Sequence, residues 1–159
     1  MPIVFLSLGS NIGDKEEHIR KALTHLAKTC KVERTSHLYL TEPVGDTEQD
    51  WFLNCVAEVE TDIDPKKLLS SIKSIERKLG RKKTVKNGPR IIDIDILFYG
   101  DCVLNTKNLV IPHPLLQERL FVLQPMMDLN PGFVHPVLKK TIQELYVHRP
   151  WAEMVTPYK

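Results

Sequence analysis

Residues 88–98 read Gly-Pro-Arg-Ile-Ile-Asp-Ile-Asp-Ile-Leu-Phe. As a β-strand, this segment sets Asp93 and Asp95 on one face and Ile92, Ile94, Ile96 and Phe98 on the other, because successive side chains alternate. The two carboxylates then stand roughly 6.6 Å apart along the strand, at about 3.3 Å per residue. That spacing suits carboxylates converging on one or two divalent cations. Two solvated acids are the bland alternative, but aspartate is a poor strand former, and like charges on one face repel unless a cation lies between them. Oxygen ligands of this kind favour Mg²⁺, which takes one or two carboxylates plus substrate phosphates and keeps several waters. Just upstream, residues 77–90 hold Arg77, Lys78, Arg81, Lys82, Lys83, Lys86 and Arg90 with no acid among them. Most basic runs are solvated surface or bind nucleic acid nonspecifically. Between a helix end and an acid strand, this one suits a phosphate clamp, in which arginine supplies bidentate donors and lysine a point charge. Together the two segments meet the needs of a Mg-nucleotide site.

The usual nucleotide motifs are missing. The chain has no G-x-x-x-x-G-K-[ST] and no G-x-G-x-x-G, so a nucleotide site here is of another design. Gly9-Ser10-Asn11 follows an apolar run but lacks the P-loop lysine. Neither H-E-x-x-H nor a paired Cys/His zinc pattern occurs. Ile111-Pro112-His113-Pro114 is a rigid turn presenting one imidazole, and a lone histidine is more often structural. Arg119 with Phe121 forms a candidate cation–aromatic pair, although Phe121 alone reads as core. Phe52 and Asn54 share a strand face, one able to stack on a flat ring and the other to hydrogen-bond its edge; a mixed-polarity exposed strand reads the same way.

The elements that must position these residues follow from periodicity. Residues 3–8 read as a buried strand. Asp14 with Glu17 resembles a capping box, and the apolar spacing then predicts a helix over 15–30. Residues 32–41 read as a strand, 42–50 as a loop and 52–60 as an alternating strand. Asp64-Pro65 is a helix start, with Leu68, Leu69, Ile72, Ile75 and Leu79 as its apolar face and Gly80 as its stop. The order to residue 98 is β-α-β-β-α-β, an α+β ferredoxin-like arrangement of an antiparallel sheet with helices on one face. The isoleucine face would pack on the helices and the aspartate face would be open to water. A small hairpin over 103–110 and helices over 115–129, interrupted by Pro125, and over 138–147 complete the reading.

Length and composition set the outer bounds. The 159 residues, 42% hydrophobic and 26% charged with a net charge of +2, are expected to form one domain over 1–159. Three separated cysteines without a C-x-x-C suggest reduced thiols and a cytoplasmic setting. The apolar N-terminus lacks the basic region of a secretory signal, and no apolar run approaches the ~20 residues of a membrane helix. A nucleic-acid-binding module is the main non-enzyme rival, because sheets of this type often bind RNA on their open face; Asp93 and Asp95 would repel phosphate there without a metal. A Mg-dependent phosphohydrolase is the enzyme rival.

The combination of segments resembles the 6-hydroxymethyl-7,8-dihydropterin pyrophosphokinase family over nearly the whole chain. The matching segments are Leu8-Gly9-Ser10-Asn11, residues 39–45, Phe52-Leu53-Asn54, Ile75-Glu76 through Gly80-Arg81, residues 88–97, Ile111-Pro112-His113-Pro114 and residues 118–123. G-P-R-x-x-D-[LIV]-D followed by P-H-P is specific as a pair. The resemblance implies a ferredoxin-like core and transfer of the terminal diphosphate of ATP, as co-substrate, to the pterin hydroxymethyl group, releasing AMP in folate biosynthesis. It implies that Asp93 and Asp95 hold two Mg²⁺ ions, with Asp93 also near the pterin, and that Arg81 and Arg90 act with them in catalysis. It places Glu76, Arg81, Lys83, Arg90, Ile96, His113 and Arg119 at ATP. It places Thr41, Val44, Phe52, Asn54 and Phe121 at the pterin, two aromatic rings sandwiching the bicycle while Asn54 reads its polar edge. A cytoplasmic monomer without nucleic-acid or membrane partners is the matching expectation. Four positions depart from the common pattern. Glu42 replaces a frequent proline and Phe52 a common tyrosine. Lys83 stands where arginine is usual, losing the bidentate fork, and Asn87 replaces a common tryptophan.

Overall fold

The computed structural model describes residues 1–42, 49–81, 89–149 and 155–158. In chain order the elements are β1 (Ile3–Ser10), α1 (Lys15–Leu26), β2 (Lys31–Thr35), β3 (Tyr39–Thr41), β4 (Phe52–Glu60), α2 (Pro65–Lys78) and β5 (Asp93–Tyr99). There follow β6 (Leu104–Asn105), β7 (Val110–Ile111), a 3₁₀ turn (Leu116–Glu118), α3 (Leu120–Leu129), α4 (Ile142–Val147) and β8 (Val155–Pro157). The helix starts follow their capping chemistry. The Asp14 side chain accepts from the Glu17 N–H, and Asp64 accepts from the N–H groups of Lys66 and Lys67 with Pro65 in the first turn. Gly80, at φ 96°, carries the chain out of α2 in the left-handed region that favours glycine.

The main sheet runs β5-β1-β4-β3-β8, with β2 also on β4, and every pairing is antiparallel. The stretch expected as one strand over 32–41 is two strands. Between them the Ser36 N–H donates to Val56 O at 2.8 Å, and the Val56 N–H donates back to Ser36 Oγ at 2.9 Å, so a hydroxyl substitutes for one rung of the ladder. Because β2 and β3 both pair with β4, together they fill the second strand position of the β-α-β-β-α-β core. β8 was not expected, since three residues are too few to show alternation.

Alternation divides the sheet into two faces. Val4, Leu6 and Leu8 of β1, Leu53, Cys55, Ala57 and Val59 of β4, and Ile94 and Ile96 of β5 pack with Ile19, Ala22 and Leu26 of α1 and Leu68, Ile72 and Ile75 of α2. This is the helix-covered face that the isoleucine pattern predicts. The other face is not left open along its whole length. Phe5, Val56, Leu97 and Phe98 pack there against Leu116, Val122, Leu123, Met126 and Leu129, with Ile142 and Leu145 of α4, as a second core.

Phe98 therefore lies opposite to the face expected from simple alternation. In the β1–β5 ladder Leu6 pairs with Ile96 but Phe5 pairs with Phe98. Leu97 is the extra residue of a β-bulge, which advances the alternation by one. Upstream of the bulge Asp93 and Asp95 share a face; downstream, that face carries Phe98, which meets Phe5 and His135 edge-to-face and Phe133 at a tilt, at centroid distances of 6.2, 5.5 and 4.6 Å.

Two helix expectations also change. Pro125 does not interrupt a helix, because α3 runs through it; the break falls at Arg119, whose extended backbone (φ −120°, ψ 106°) separates the 3₁₀ turn from α3. The last helix is shorter than expected, because the Thr141–Glu144 capping box starts it at Ile142. The hairpin forms as β6 and β7.

With Phe98 fully buried in the second core, Phe98→Ala is expected to cost about 3–5 kcal/mol in urea unfolding. A cost below about 1 kcal/mol would show that the bulge does not bury this ring.

Candidate active site

The site is built where the second core runs out. Along the α3 face of β1 the side chains shrink from Phe5 to Ser7 to Gly9. Register places Ser7 beside Asp95 and Gly9 between Asp93 and Asn54. Small residues on this central strand leave a hollow flanked by the taller side chains of β5 on one side and β4 and β3 on the other. The hollow is a cavity of about 320 Å³.

At one end stand Phe52, Asn54, Thr41 and Phe121. Asn54 is buried, and its Nδ2 donates to Thr41 Oγ1 at 2.7 Å. Phe121 enters from the first turn of α3, and the Arg119 guanidinium carbon lies 5.4 Å from its ring centroid, a cation–π distance. The extended backbone at Arg119 brings both residues to the cavity wall.

At the other end the carboxylates of Asp93 and Asp95 meet Arg81, Arg90, Arg119 and His113. Arg81 Nη1 donates to Asp93 Oδ1 at 3.0 Å and to Glu76 Oε2 at 2.6 Å; Arg90 Nη1 lies 3.7 Å from Asp93 Oδ1. Burial, and then the neighbouring Asp93 charge, push the Asp95 carboxyl up to about 7, against the pull of Arg119 and Lys73. A dication at this pair would oppose both causes. Among the described residues no group of three or more His, Cys, Asp or Glu side chains gathers around a common point, so the donor set fits an ion completed by phosphate oxygens and water.

His113 follows the cis Ile111–Pro112 bond, and its N–H donates to Leu97 O at 3.0 Å, docking the turn on β5 beside the bulge. Its Nδ1 accepts the Leu115 N–H at 3.1 Å, so the neutral ring carries its proton on Nε2 as a donor. Burial, assisted by Arg119 and opposed by Asp93, pushes this imidazole down to about 4.

Of the expected site residues, Thr41, Phe52, Asn54, Arg81, Arg90, Asp93, Asp95, His113, Arg119 and Phe121 line this one cavity. Glu76 is buried behind Arg81, where its carboxylate accepts the Ile94 N–H at 2.9 Å. Ile96 points into the helix-side core, because the bulge that redirects the strand begins only after it. Val44, Lys83 and Asn87 lie outside the described residues. Sequence reasoning passed over Ser7, Gly9 and Lys73, which also line the cavity. Lys73 was visible in principle, since it sits one turn before Glu76 on the same helix and its Nζ lies 3.7 Å from Glu76 Oε1.

The His113 shift sets a pH dependence. Between about 6.5 and about 4 the unfolded chain takes up a proton that the folded ring refuses, so acidification through that window removes stability; above pH 7 the residue contributes no slope. A ¹H–¹³C titration of the ligand-free protein is expected to show the His113 ring with a midpoint near 4. A midpoint near its ordinary 6.5 would contradict the buried, neutral-donor geometry.

The family model described as 7,8-dihydro-6-hydroxymethylpterin-pyrophosphokinase (HPPK) matches residues 5–131. The chain is 45% identical over 148 residues to the folic acid synthesis protein FOL1 of Dictyostelium discoideum, covering 93% of this chain and 22% of that protein. It is 42% identical over 144 residues to the 2-amino-4-hydroxy-6-hydroxymethyldihydropteridine pyrophosphokinase of Aquifex aeolicus, covering 91% of this chain and 90% of that one. It thus spans about a fifth of the Dictyostelium relative and nearly all of the Aquifex one. Its fold is similar to that in a crystal structure of Plasmodium falciparum HPPK-DHPS with pteroate, at a TM-score of 0.75 and 21% identity, covering 92% of this chain and 42% of that chain. With most of its first strand, both core helices, the aspartate strand and most of the second core inside the matched segment, this chain belongs to the 7,8-dihydro-6-hydroxymethylpterin-pyrophosphokinase family.

Proposed function

We propose that the chain transfers the terminal diphosphate of ATP to the hydroxymethyl group of 6-hydroxymethyl-7,8-dihydropterin, with release of AMP, as a step of folate biosynthesis. The observation that carries this reading is the continuity of the cavity, whose ring-stacking, amide-bearing end opens into an end lined by two carboxylates, three guanidinium groups and an imidazole. A nucleotide hydrolase would not need the first end, and a nucleic-acid groove would not need the paired carboxylates of the second.

In this reading a flat bicycle lies between Phe52 and Phe121, with its polar edge against Asn54 and Thr41, and its hydroxymethyl group reaches toward Asp93 and Asp95. Those carboxylates would hold two Mg²⁺ ions, which when bound neutralise phosphate charge and align an in-line displacement. The pterin oxygen attacks the β-phosphorus of ATP, and the bond from that phosphorus to the bridging oxygen of AMP breaks. Arg81, Arg90 and Arg119 donate to the phosphate oxygens, and the His113 Nε2–H adds a neutral donor. Because Arg81, Arg90 and His113 are already anchored by Asp93, Glu76 and the backbone of β5, they answer the charge growing on the departing AMP with little reorganisation. The hydroxyl proton leaves to solvent, and no side chain is assigned as general base. Lys83 and Val44 extend the ATP and pterin sets as the resemblance implies. Glu76 serves the nucleotide side through Arg81, and Ile96 through the strand backbone.

The reading takes residues 1–159 as one domain, a cytoplasmic monomer without nucleic-acid or membrane partners. None of the described helices is long and apolar enough to cross a membrane.

Incubation with ATP, Mg²⁺ and 6-hydroxymethyl-7,8-dihydropterin is expected to yield AMP only when the pterin is present, read by anion-exchange chromatography. ADP as product, or phosphate released without pterin, would assign a different broken bond. If ATP is not consumed by folded protein, a salt-dependent gel shift tests the nucleic-acid reading instead.

Asp95→Ala is expected to lower turnover by about 10²-fold or more while far-UV circular dichroism stays unchanged. Near-normal turnover in that variant would remove Asp95 from the metal site.

A further inference from the structure

We propose that Gly9 is a specificity-determining position, the residue whose missing side chain fixes the orientation of the Asn54 carboxamide and so sets which ring edge the cavity accepts. The proposal rests on the pterin-end reading of the cavity given above.

Gly9 and Asn54 face each other directly across the β1–β4 ladder. A Cβ built on Gly9 would stand 2.4 Å from Asn54 Oδ1 and 3.5 Å from its Cγ, with the Phe52 ring edge at 3.6 Å. A separation of 2.4 Å is far inside van der Waals contact, so any side chain at this position must move the amide. The backbone does not call for glycine. Gly9 lies within a regular strand, and the positive φ values among the described glycines belong to Gly13, Gly80 and Gly100. What glycine provides here is room for one oxygen atom.

That oxygen is held from both sides. Asn54 is only 5% exposed, and its Nδ2 donates to Thr41 Oγ1 at 2.7 Å. With the amide nitrogen tied to Thr41, its oxygen lies over Gly9. The amide then keeps one N–H and its oxygen for a ligand, and the Thr41 hydroxyl, already an acceptor, has its own proton to donate. The floor of this end therefore carries a fixed donor and acceptor order that matches a heteroaromatic ring whose edge alternates acceptor and donor. A side chain at position 9 would rotate the amide, break the Thr41 bond or lift Asn54 into the space of the ring.

The test is a double-mutant cycle on pterin binding. Dissociation constants for 6-hydroxymethyl-7,8-dihydropterin, in the presence of a non-hydrolysable ATP analogue, are measured by calorimetry for the wild type, Gly9→Ala, Asn54→Ala and Gly9→Ala/Asn54→Ala. Loss of one or two oriented hydrogen bonds predicts that Gly9→Ala weakens the pterin by about 10- to 100-fold, with affinity for the analogue alone within about 2-fold. In the Asn54→Ala background the same substitution is expected to change pterin affinity by less than about 2-fold, because its clash partner is gone. If Gly9→Ala also lowers the melting temperature, that loss is expected to disappear in the double variant.

Equal effects of Gly9→Ala with and without Asn54, wild-type pterin affinity in Gly9→Ala, or parallel loss of pterin and analogue would each overturn the Gly9 assignment while leaving the pocket reading in place. Absence of pterin binding by the wild type would overturn the pocket reading and this inference with it.

Discussion

The Glu76 carboxylate, shielded from water near the end of α2, carries the frame of the site. Its Oε2 accepts from Arg81 at 2.6 Å and from the Ile94 N–H at 2.9 Å, while Lys73 lies 3.7 Å from its other oxygen. A buried charge survives in a fold only when paired and hydrogen-bonded. Here the pairing joins three elements at once: the last turns of α2, the residue just past Gly80, and the strand amide between Asp93 and Asp95. Arg81 passes the constraint onward, because the nitrogen that meets Glu76 also meets Asp93 at 3.0 Å. Arg81, Arg90 and Asp93 are thus held by one network anchored behind the wall.

The second constraint is steric, and it lies in the central strand. On its α3 face β1 steps from Phe5 through Ser7 to Gly9, so the same face that buries a second core at one end leaves a hollow at the other. The Leu97 bulge matches this step on β5. It lets Asp93 and Asp95 face the hollow and still turns Phe98 into the core beneath α3, beside Phe5. α3 closes the arrangement by packing Val122, Leu123 and Met126 on that core while its first turn extends Phe121 over the cavity. The second core and the cavity wall are therefore coupled through one short helix, and the depth of the hollow is set by how abruptly side-chain volume falls along β1.

Much of this was legible in the residues. The caps at Asp14 and Asp64, the stop at Gly80 and the alternation of β4 are local signals, and local physics decided them. Aspartates at positions 93 and 95 share a face for the same reason, since the alternation of a strand needs no partner to define it. What escaped depended on neighbours distant in sequence. The split of 32–41 into two strands follows from a serine borrowed into the β4 ladder, and β8 exists only because β3 offers it an edge. The face taken by Phe98 depends on how β5 registers against β1, which alternation within one strand does not contain.

The site divides in the same way. Residue types and spacing by themselves determined the chemistry available: a carboxylate pair for a cation, arginines for phosphate, an aromatic and an amide for a flat ring, and a histidine held in a proline turn. Only the tertiary structure decided that these meet at one place. It brought Thr41, Asn54, Arg81, Asp95, His113 and Phe121 to one cavity, buried Glu76 behind Arg81, and made Gly9 part of the cavity lining by setting it opposite Asn54. The physical reason is that chemistry resides in side chains, which a sequence names one by one. Convergence, burial and the resulting proton affinities arise from strand register and packing, which are properties of pairs of segments far apart in the chain.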